Sequence, residues 1–365
     1  MVQVAVVGGG YGGIAVAKAM DANADVVLID QKEDFVHHAA ALRAATDEAW
    51  ARTIFMPYTR LLSRGKVLRG TVSRVDGHTI SIYGHDPIEA DYIVLATGSA
   101  YPFPGKFTSP TTAVAQARLD QLRADLGEAE RVLLVGGGSV GIEFAGELRA
   151  AFPELAITIV EKGEHVLATP GYTDGLREEV ERQLDQLGVE VVAGSELAYL
   201  PTPAVGELGR FTVQTKDGVE VSADMWFRCY GTSPNTGYLE GGSLADVVNP
   251  DGTVRVEPTM QVAGHGHVYA IGDITDVRES KRADAARQQA GVVVSNLTAA
   301  LGGQEPQTTY RSTREWVILP LGPELGASQL IDMDGNTRIL GPEQTAEIKG
   351  ADLMASVVRS QLNLP

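Results

Sequence analysis

Hydrophobic and polar positions along this chain change period in a repeating way. Residues 2–7, VQVAVV, form an apolar run of strand length, and ERVLLV at 130–135 forms another. Each run meets a glycine-rich turn and then a segment whose apolar residues recur at helical spacing. Each unit then reaches a second apolar run closed by an acid, DVVLID at 25–30 and AITIVEK at 156–162. Strand, turn, helix and strand in that order predict parallel α/β units.

The repeat continues. Stretches at 66–84 and 210–223 read as hairpin-like strands, the second turning at Asp217-Gly218, a strong hairpin pair. Each copy ends in a buried strand, DYIVLATGS at 91–99 and DMWFRCYGTSPN at 224–235. A further strand, GHVYAIGDITD, and a helical segment at 281–301 follow. The pattern predicts an α/β fold with two Rossmann-like dinucleotide-binding domains, the second inserted in the first. Residues 1–105 and 236–303 form the first, 106–235 the second, with Pro-, Gly- and Ser-rich linkers at 102–110 and 232–242. Residues 304–365 form a small C-terminal α+β segment, expected to serve an interface or the acceptor site.

Both turns are G-x-G-x-x-G: Gly8, Gly10, Gly13 and Gly136, Gly138, Gly141. The first glycine allows the tight turn, the second lets a pyrophosphate approach, and the third lets helix pack on strand. Phosphates sit at the helix N-terminus, where free N–H groups favour anions. Asp30 and Glu161 close the second strands and are placed for ribose hydroxyls. One such loop is weak evidence; two complete units in one chain are strong.

Charge narrows the partners. The net charge is −17, and no basic run offsets it, so nucleic acid is not expected. Cys229 is the one cysteine, which excludes an internal disulfide and a thiolate metal cage. No metal is expected. The single cysteine suits a reducing, cytoplasmic setting. The start of the sequence lacks the features of a signal peptide, and Val2 is not a myristoylation glycine.

The ordered set GGGYGG, Asp30, ATG, GGGSVGIE, Glu161, CYGTSPN and AIGD resembles the two-dinucleotide-domain flavoprotein family, the pyridine nucleotide-disulfide oxidoreductase superfamily. The segments FVHHAAALRA, ATGSAYPFPGKF and QVAGHGHVYAIGDITDVRESK are similar to the apoptosis-inducing-factor-like and ferroptosis-suppressor-like quinone reductase group. The tail YRSTREWVILPLGPELGASQ is similar to a lesser degree. The resemblance implies FAD in the first module and NADH, with NADPH left open, in the second. Gly8, Gly9, Gly10, Tyr11, Gly12 and Gly13 would hold the FAD pyrophosphate, and Asp30 the adenosine ribose. Arg43, Val72, Thr97, Gly98 and Asp273 would complete the FAD site. Gly136, Gly138, Ser139, Gly141 and Glu161 would hold the nicotinamide dinucleotide. Bland readings stand beside these: a capping or surface arginine for Arg43, a strand residue for Val72, and a helix cap for Asp273.

Glu143 matches a glutamate near the nicotinamide–flavin contact and is expected to orient the nicotinamide. In several relatives it pairs with a lysine from the segment equivalent to 35–44. That segment here has only His37, His38 and Arg43 as basic residues, so the partner of Glu143 is not legible. The same segment lacks the reactive cysteine pair of the family's disulfide reductases. Cys229 in an apolar strand reads as a buried structural thiol. Electrons are therefore expected to leave FAD for a diffusible acceptor, most readily a quinone, which needs an apolar slot and a few hydrogen-bonding groups. His37 is the candidate catalytic residue there, with His38, Gln288, Gln289 and Trp316 as further lining. Each histidine reads equally well as a satisfied or surface residue. Lys106 and Lys281 match lysines of the group without an assigned role.

Glu161 accepts bonds from ribose hydroxyls and repels a 2′-phosphate, which favours NADH; the adjacent Lys162 softens that preference. Leu353, Met354, Val357, Val358 and Leu362 share one helical face. Core docking, homodimer packing and membrane contact all fit that stripe, but without flanking aromatics at most transient membrane contact is expected. Three other functions stay open: a reductase component for a protein redox partner, a metabolite-specific flavoenzyme, and an NADH-sensing flavoprotein.

Overall fold

The computed structural model describes residues 1–312 and 315–365. Thr313 and Arg314, inside the tail motif, lie outside the described residues. The elements that position the site begin with β1 (Gln3–Val7), α1 (Tyr11–Met20), β2 (Asp25–Asp30), α2 (Ala41–Thr46), β3 (Lys66–Arg69) and β4 (Tyr92–Leu95). Next come α3 (Thr112–Glu128), β5 (Arg131–Val135), α4 (Ser139–Ala151), β6 (Ala156–Val160), α5 (Asp174–Gln186), β7 (Val189–Val192) and β8 (Met225–Arg228). The chain then forms β9 (His265–Ala270), α6 (Ala283–Leu301), β10 (Val317–Leu321), β11 (Leu325–Ile331), β12 (Thr337–Leu340) and α7 (Ala355–Gln361).

The two apolar-run repeats become two parallel sheets of the same winding. The first has the order β9-β4-β1-β2-β3, extended at the β9 edge by the antiparallel pair Gln261–Val262. The second has the order β8-β5-β6-β7. Val4, Ala5 and Val6 of β1 pair in register with Val26, Val27 and Leu28 of β2, and Val132, Leu133 and Leu134 of β5 pair with Ile157, Thr158 and Ile159 of β6. Both faces of a parallel sheet are covered, so its central strands read as continuous apolar runs rather than alternating ones. The first sheet takes β9 from beyond the second module, so the second is an insertion in the first. The two crossings between modules meet as a short antiparallel pair, Ser99–Ala100 against Ser233–Pro234.

Helix α1 lies against α6, and their alanine-rich faces let the backbones approach closely. A Cβ on Gly12 would stand 3.1 Å from the carbonyl oxygen of Ala286. The C-terminal segment is a three-stranded antiparallel sheet, β10-β11-β12, followed by a π-helical turn at Ala346–Gly350 and then α7. The expected apolar stripe of the tail divides. Leu353, Val358 and Leu362 are buried, the last two in the core beneath α1, while Val357 is exposed. Leu353 and Met354 precede α7 and take left-handed backbone angles, φ 50° and 65°. Among the described residues no helix is long and apolar enough to cross a membrane.

Candidate functional site

The two glycine loops are superposable in their chemistry. Gly8 and Gly136 have φ of 107° and 109°, a region that side chains rarely adopt. A Cβ on Gly13 would sit 1.9 Å from the Gly8 carbonyl oxygen, and one on Gly141 2.1 Å from that of Gly136. The first and third glycines are therefore jammed against protein. Gly10 and Gly138 are the opposite case: a Cβ on either would meet nothing within 4 Å. Each directly precedes a helix, α1 beginning at Tyr11 and α4 at Ser139. Open space at the second glycine beside free helix N–H groups is what a pyrophosphate requires.

The acids match as well. Asp30 accepts the N–H of Gly9 at 2.6 Å and that of Lys32 at 2.7 Å. Glu161 accepts the N–H of Gly137 at 2.7 Å and that of Gly163 at 2.7 Å. Each carboxylate thus braces its own loop while standing at the strand end where a ribose would lie. Tyr58, which sequence reading missed, donates to the Gly9 carbonyl at 2.9 Å. Cys229 sits beneath the second loop, its carbonyl and Cβ against Gly136 and Gly141. Burial pushes its thiol up to about 12.

The remaining FAD-side candidates divide by environment. Asp273, just beyond β9, accepts from Lys106 at 2.9 Å and from the Ser99 hydroxyl. Burial pushes its carboxyl up, but the Lys106 charge and the Ser99 bond outweigh this and hold it below the usual range. The Thr97 hydroxyl donates to the Asn235 carbonyl at 2.7 Å, tying the end of the first sheet to the crossing strand. Gly98, with φ 63°, faces open space. Val72 opens the strand Val72–Asp76 opposite Ile82. Arg43 is buried and turned between the modules. Its Nε and Nη2 donate to Glu147 at 3.0 and 2.8 Å, and its Nη1 donates to the Gly350 carbonyl at 2.6 Å. The resemblance placed Arg43 in the FAD site; all three of its nitrogens have protein partners.

Glu143 lies one helical turn before Glu147 on α4, and its partner is Lys349, whose ammonium stands 2.9 Å away. The lysine sought in residues 35–44 is supplied by the π-helical turn of the C-terminal segment. A π turn inserts one residue per turn and is common at functional sites. His37 is also tied to this segment. It is 1% exposed, with Nδ1 2.9 Å from the Tyr11 hydroxyl and Nε2 2.9 Å from the Leu353 carbonyl oxygen. Burial pushes its imidazole down to about 4. His38 stacks on Phe107 with ring centroids 6.2 Å apart, its Nε2 buried without a partner. Gln289 is satisfied internally by the Gly272 N–H and Glu279, whereas Gln288 bonds Asp284 at the surface. Trp316 carries Arg282 over its ring, and Lys281 caps the carbonyls of Thr275 and Val277.

Two braced dinucleotide cradles in one chain limit the comparison sharply, and the family model for pyridine nucleotide-disulphide oxidoreductase matches residues 2–290. The chain belongs to that family. Ferroptosis suppressor protein 1 of Homo sapiens is 32% identical over 334 residues, 90% of this chain and 88% of that protein. Apoptosis-inducing factor homolog B of Dictyostelium discoideum is 28% identical over 383 residues, covering 100% of this chain and 97% of that one. Among solved structures, the sulfide:quinone oxidoreductase of Aquifex aeolicus shares the fold at a TM-score of 0.79 with 17% identity, over 100% of this chain and 92% of that chain. As a member of that family the chain is an FAD flavoprotein that takes NAD(P)H. The residues present fit both groups, with an open second glycine and a braced acid in each module.

Proposed function

We propose that this chain oxidises NADH through FAD and delivers the electrons to a quinone-type acceptor, not to a disulfide. One observation carries the reading: the chain has a single thiol, and it is buried beneath the second glycine loop with its pKa raised to about 12. A thiol-disulfide relay needs an accessible thiolate and a second cysteine. The similarity to ferroptosis suppressor protein 1 along 90% of the chain supports the quinone reading, and the Aquifex aeolicus structure of the same fold is of a sulfide:quinone oxidoreductase.

FAD, when bound, supplies the hydride and electron chemistry; the protein supplies position and electrostatics. Gly8 to Gly13 and Asp30 would hold it in the first module, while Gly136 to Gly141 and Glu161 would hold the nicotinamide dinucleotide in the second. The Glu161 carboxylate is fixed by two backbone N–H groups, so it cannot swing away from a 2′-phosphate, which supports NADH. Glu143 stands at the head of α4 with its charge compensated by Lys349, an arrangement suited to orienting a carboxamide without adding net charge.

The test is anaerobic mixing of the purified flavoprotein with NADH or NADPH, then reoxidation by quinones, ferricyanide, ferredoxin and oxygen. Rapid bleaching by NADH and fast reoxidation by quinones are expected. Slow reoxidation by every acceptor would favour a sensing role, and a ferredoxin preference would favour a protein partner. Glu161→Ala should narrow the NADH/NADPH ratio.

A further inference from the structure

The segment 349–353 touches four residues from elsewhere in the chain within five positions. Lys349 donates to Glu143 and, at 3.2 Å, to the Ile318 carbonyl, the Gly350 carbonyl accepts from Arg43, and the Leu353 carbonyl faces His37. The segment is not at rest by itself. It begins inside the π-helical turn, and Leu353 and the adjoining Met354 both hold left-handed angles, which crowd the Cβ of a non-glycine residue against its own backbone. Asp352 offsets part of this by accepting the N–H groups of Met354 and Ser356. The tertiary ties must supply the rest.

The His37 tie has one consistent proton arrangement. A carbonyl oxygen only accepts, so His37 Nε2 carries the proton and donates to Leu353. In the neutral ring Nδ1 is then an acceptor, and the Tyr11 O–H donates to it. The Tyr11 oxygen in turn accepts the N–H of Ala39 at 3.1 Å. Tyr11 is the first residue of α1, directly after the open Gly10. The chain Ala39, Tyr11, His37, Leu353 therefore links the first dinucleotide loop to the strained segment that carries Lys349. Both nitrogens of His37 are spent in this link.

We propose that His37 is a positioning residue rather than a catalytic one: through the Leu353 carbonyl it holds the strained segment in the register that keeps Lys349 on Glu143. Without the bond, Leu353 and Met354 are free to leave the left-handed region and draw the ammonium away. The inference concerns hydride delivery and does not depend on which acceptor follows.

The test is a double-mutant cycle on the FAD-loaded protein with His37→Leu and Lys349→Met, read by the anaerobic rate of flavin bleaching by NADH. His37→Leu should slow bleaching roughly tenfold to a hundredfold, the scale for a misplacement near 1 Å. His37→Gln, which keeps one donor and one acceptor, should recover most of it. In the Lys349→Met background His37→Leu should add little, because the two act on one element. Amide exchange measured with and without FAD should rise across residues 346–356 in His37→Leu and stay unchanged in β1 and β5. Additive losses, or faster exchange spread over the whole chain, would overturn the proposal. If His37→Leu does not retain FAD, Tyr11→Phe takes its place in the cycle under the same criterion. Quinone reduction is not scored, so the acceptor reading stands or fails separately.

Discussion

Lys349 reaches Glu143 across 206 positions of sequence at 2.9 Å, and the pair joins the C-terminal segment to the head of the second module's helix. Both side chains are mostly shielded from solvent, so the pairing is less weakened by water and salt than a surface bridge. Lys349→Met leaves the partly buried Glu143 carboxylate without its ammonium partner, where the nicotinamide is proposed to lie. Its NADH-driven flavin bleaching should slow by roughly ten- to a hundredfold, with FAD content unchanged. Lys349→Arg should retain more activity than Lys349→Met. Stopped-flow absorbance checks both, and an unaltered rate in Lys349→Met would remove the pair from the reaction.

A second tie joins the modules more deeply. Arg43 and Glu147 face each other with side chains 7% and 6% exposed. Burial pushes the Glu147 carboxyl up despite the guanidinium beside it. Removing one member of such a pair strands the other, at a cost of roughly 3–5 kcal/mol, whereas replacing both by apolar groups is often neutral. Arg43→Met should therefore lower stability far more than Arg43→Met with Glu147→Leu. Urea unfolding of the three proteins decides this, and equal losses in the single and double variants would mean that the Gly350 carbonyl contact, not the ion pair, is what matters.

The parts of the site that were legible in the sequence are local ones. Gly8, Gly10, Gly13 and Asp30 belong to one strand–turn–helix–strand unit, and spacing alone orders them; Gly136, Gly138, Gly141 and Glu161 repeat the pattern. Both sheets follow from the same apolar runs. What escaped were contacts between distant elements. Tyr58 lies 49 positions from Gly9, Leu353 lies 316 from His37, and Lys349 lies 206 from Glu143. No period marks a carbonyl as a partner, and a lysine sought in residues 35–44 gave no reason to look in the tail. The tail stripe was visible as amphipathic, but the left-handed turn that carries Leu353 out of helical register was not.

The glycine loops separate folding from cofactor binding. Gly13→Ala would drive a methyl into the Gly8 carbonyl at 1.9 Å, so the variant should misfold or lose several kcal/mol, as overpacking and backbone strain predict. Gly10→Ala meets open space in the protein itself. It should fold with near-normal thermal stability without FAD yet bind FAD much more weakly. Gly138→Ala should spare FAD and weaken NADH. Thermal melts with and without cofactor resolve the cases, and normal FAD retention in Gly10→Ala would move the pyrophosphate off this loop.

Acid should loosen the molecule in a window set by His37. Its folded pKa is about 4 against an ordinary 6.5, with burial as the main cause and the nearby Arg287 and Lys349 charges adding to it, while the Leu353 bond and Asp352 act the other way. Between those values the unfolded chain binds the proton and the folded one does not, so stability rises with pH. The contribution is complete above about 6.5 and is lost as pH falls toward 4, amounting to roughly 3 kcal/mol for a group this buried. His38, also held well below 6.5 by burial, adds in the same direction. Glu147, whose pKa is raised, acts with the opposite sign, and the lowered carboxyls of Asp273 and Asp352 matter only below the usual aspartate range. Subtraction isolates the histidine: urea midpoints of the wild type should fall between pH 6.5 and 4 more steeply than those of His37→Gln, and the two curves should run parallel above pH 7. Parallel curves throughout would mean that His37 takes up its proton in the folded protein as readily as in water, with the Tyr11–His37–Leu353 link broken at no cost.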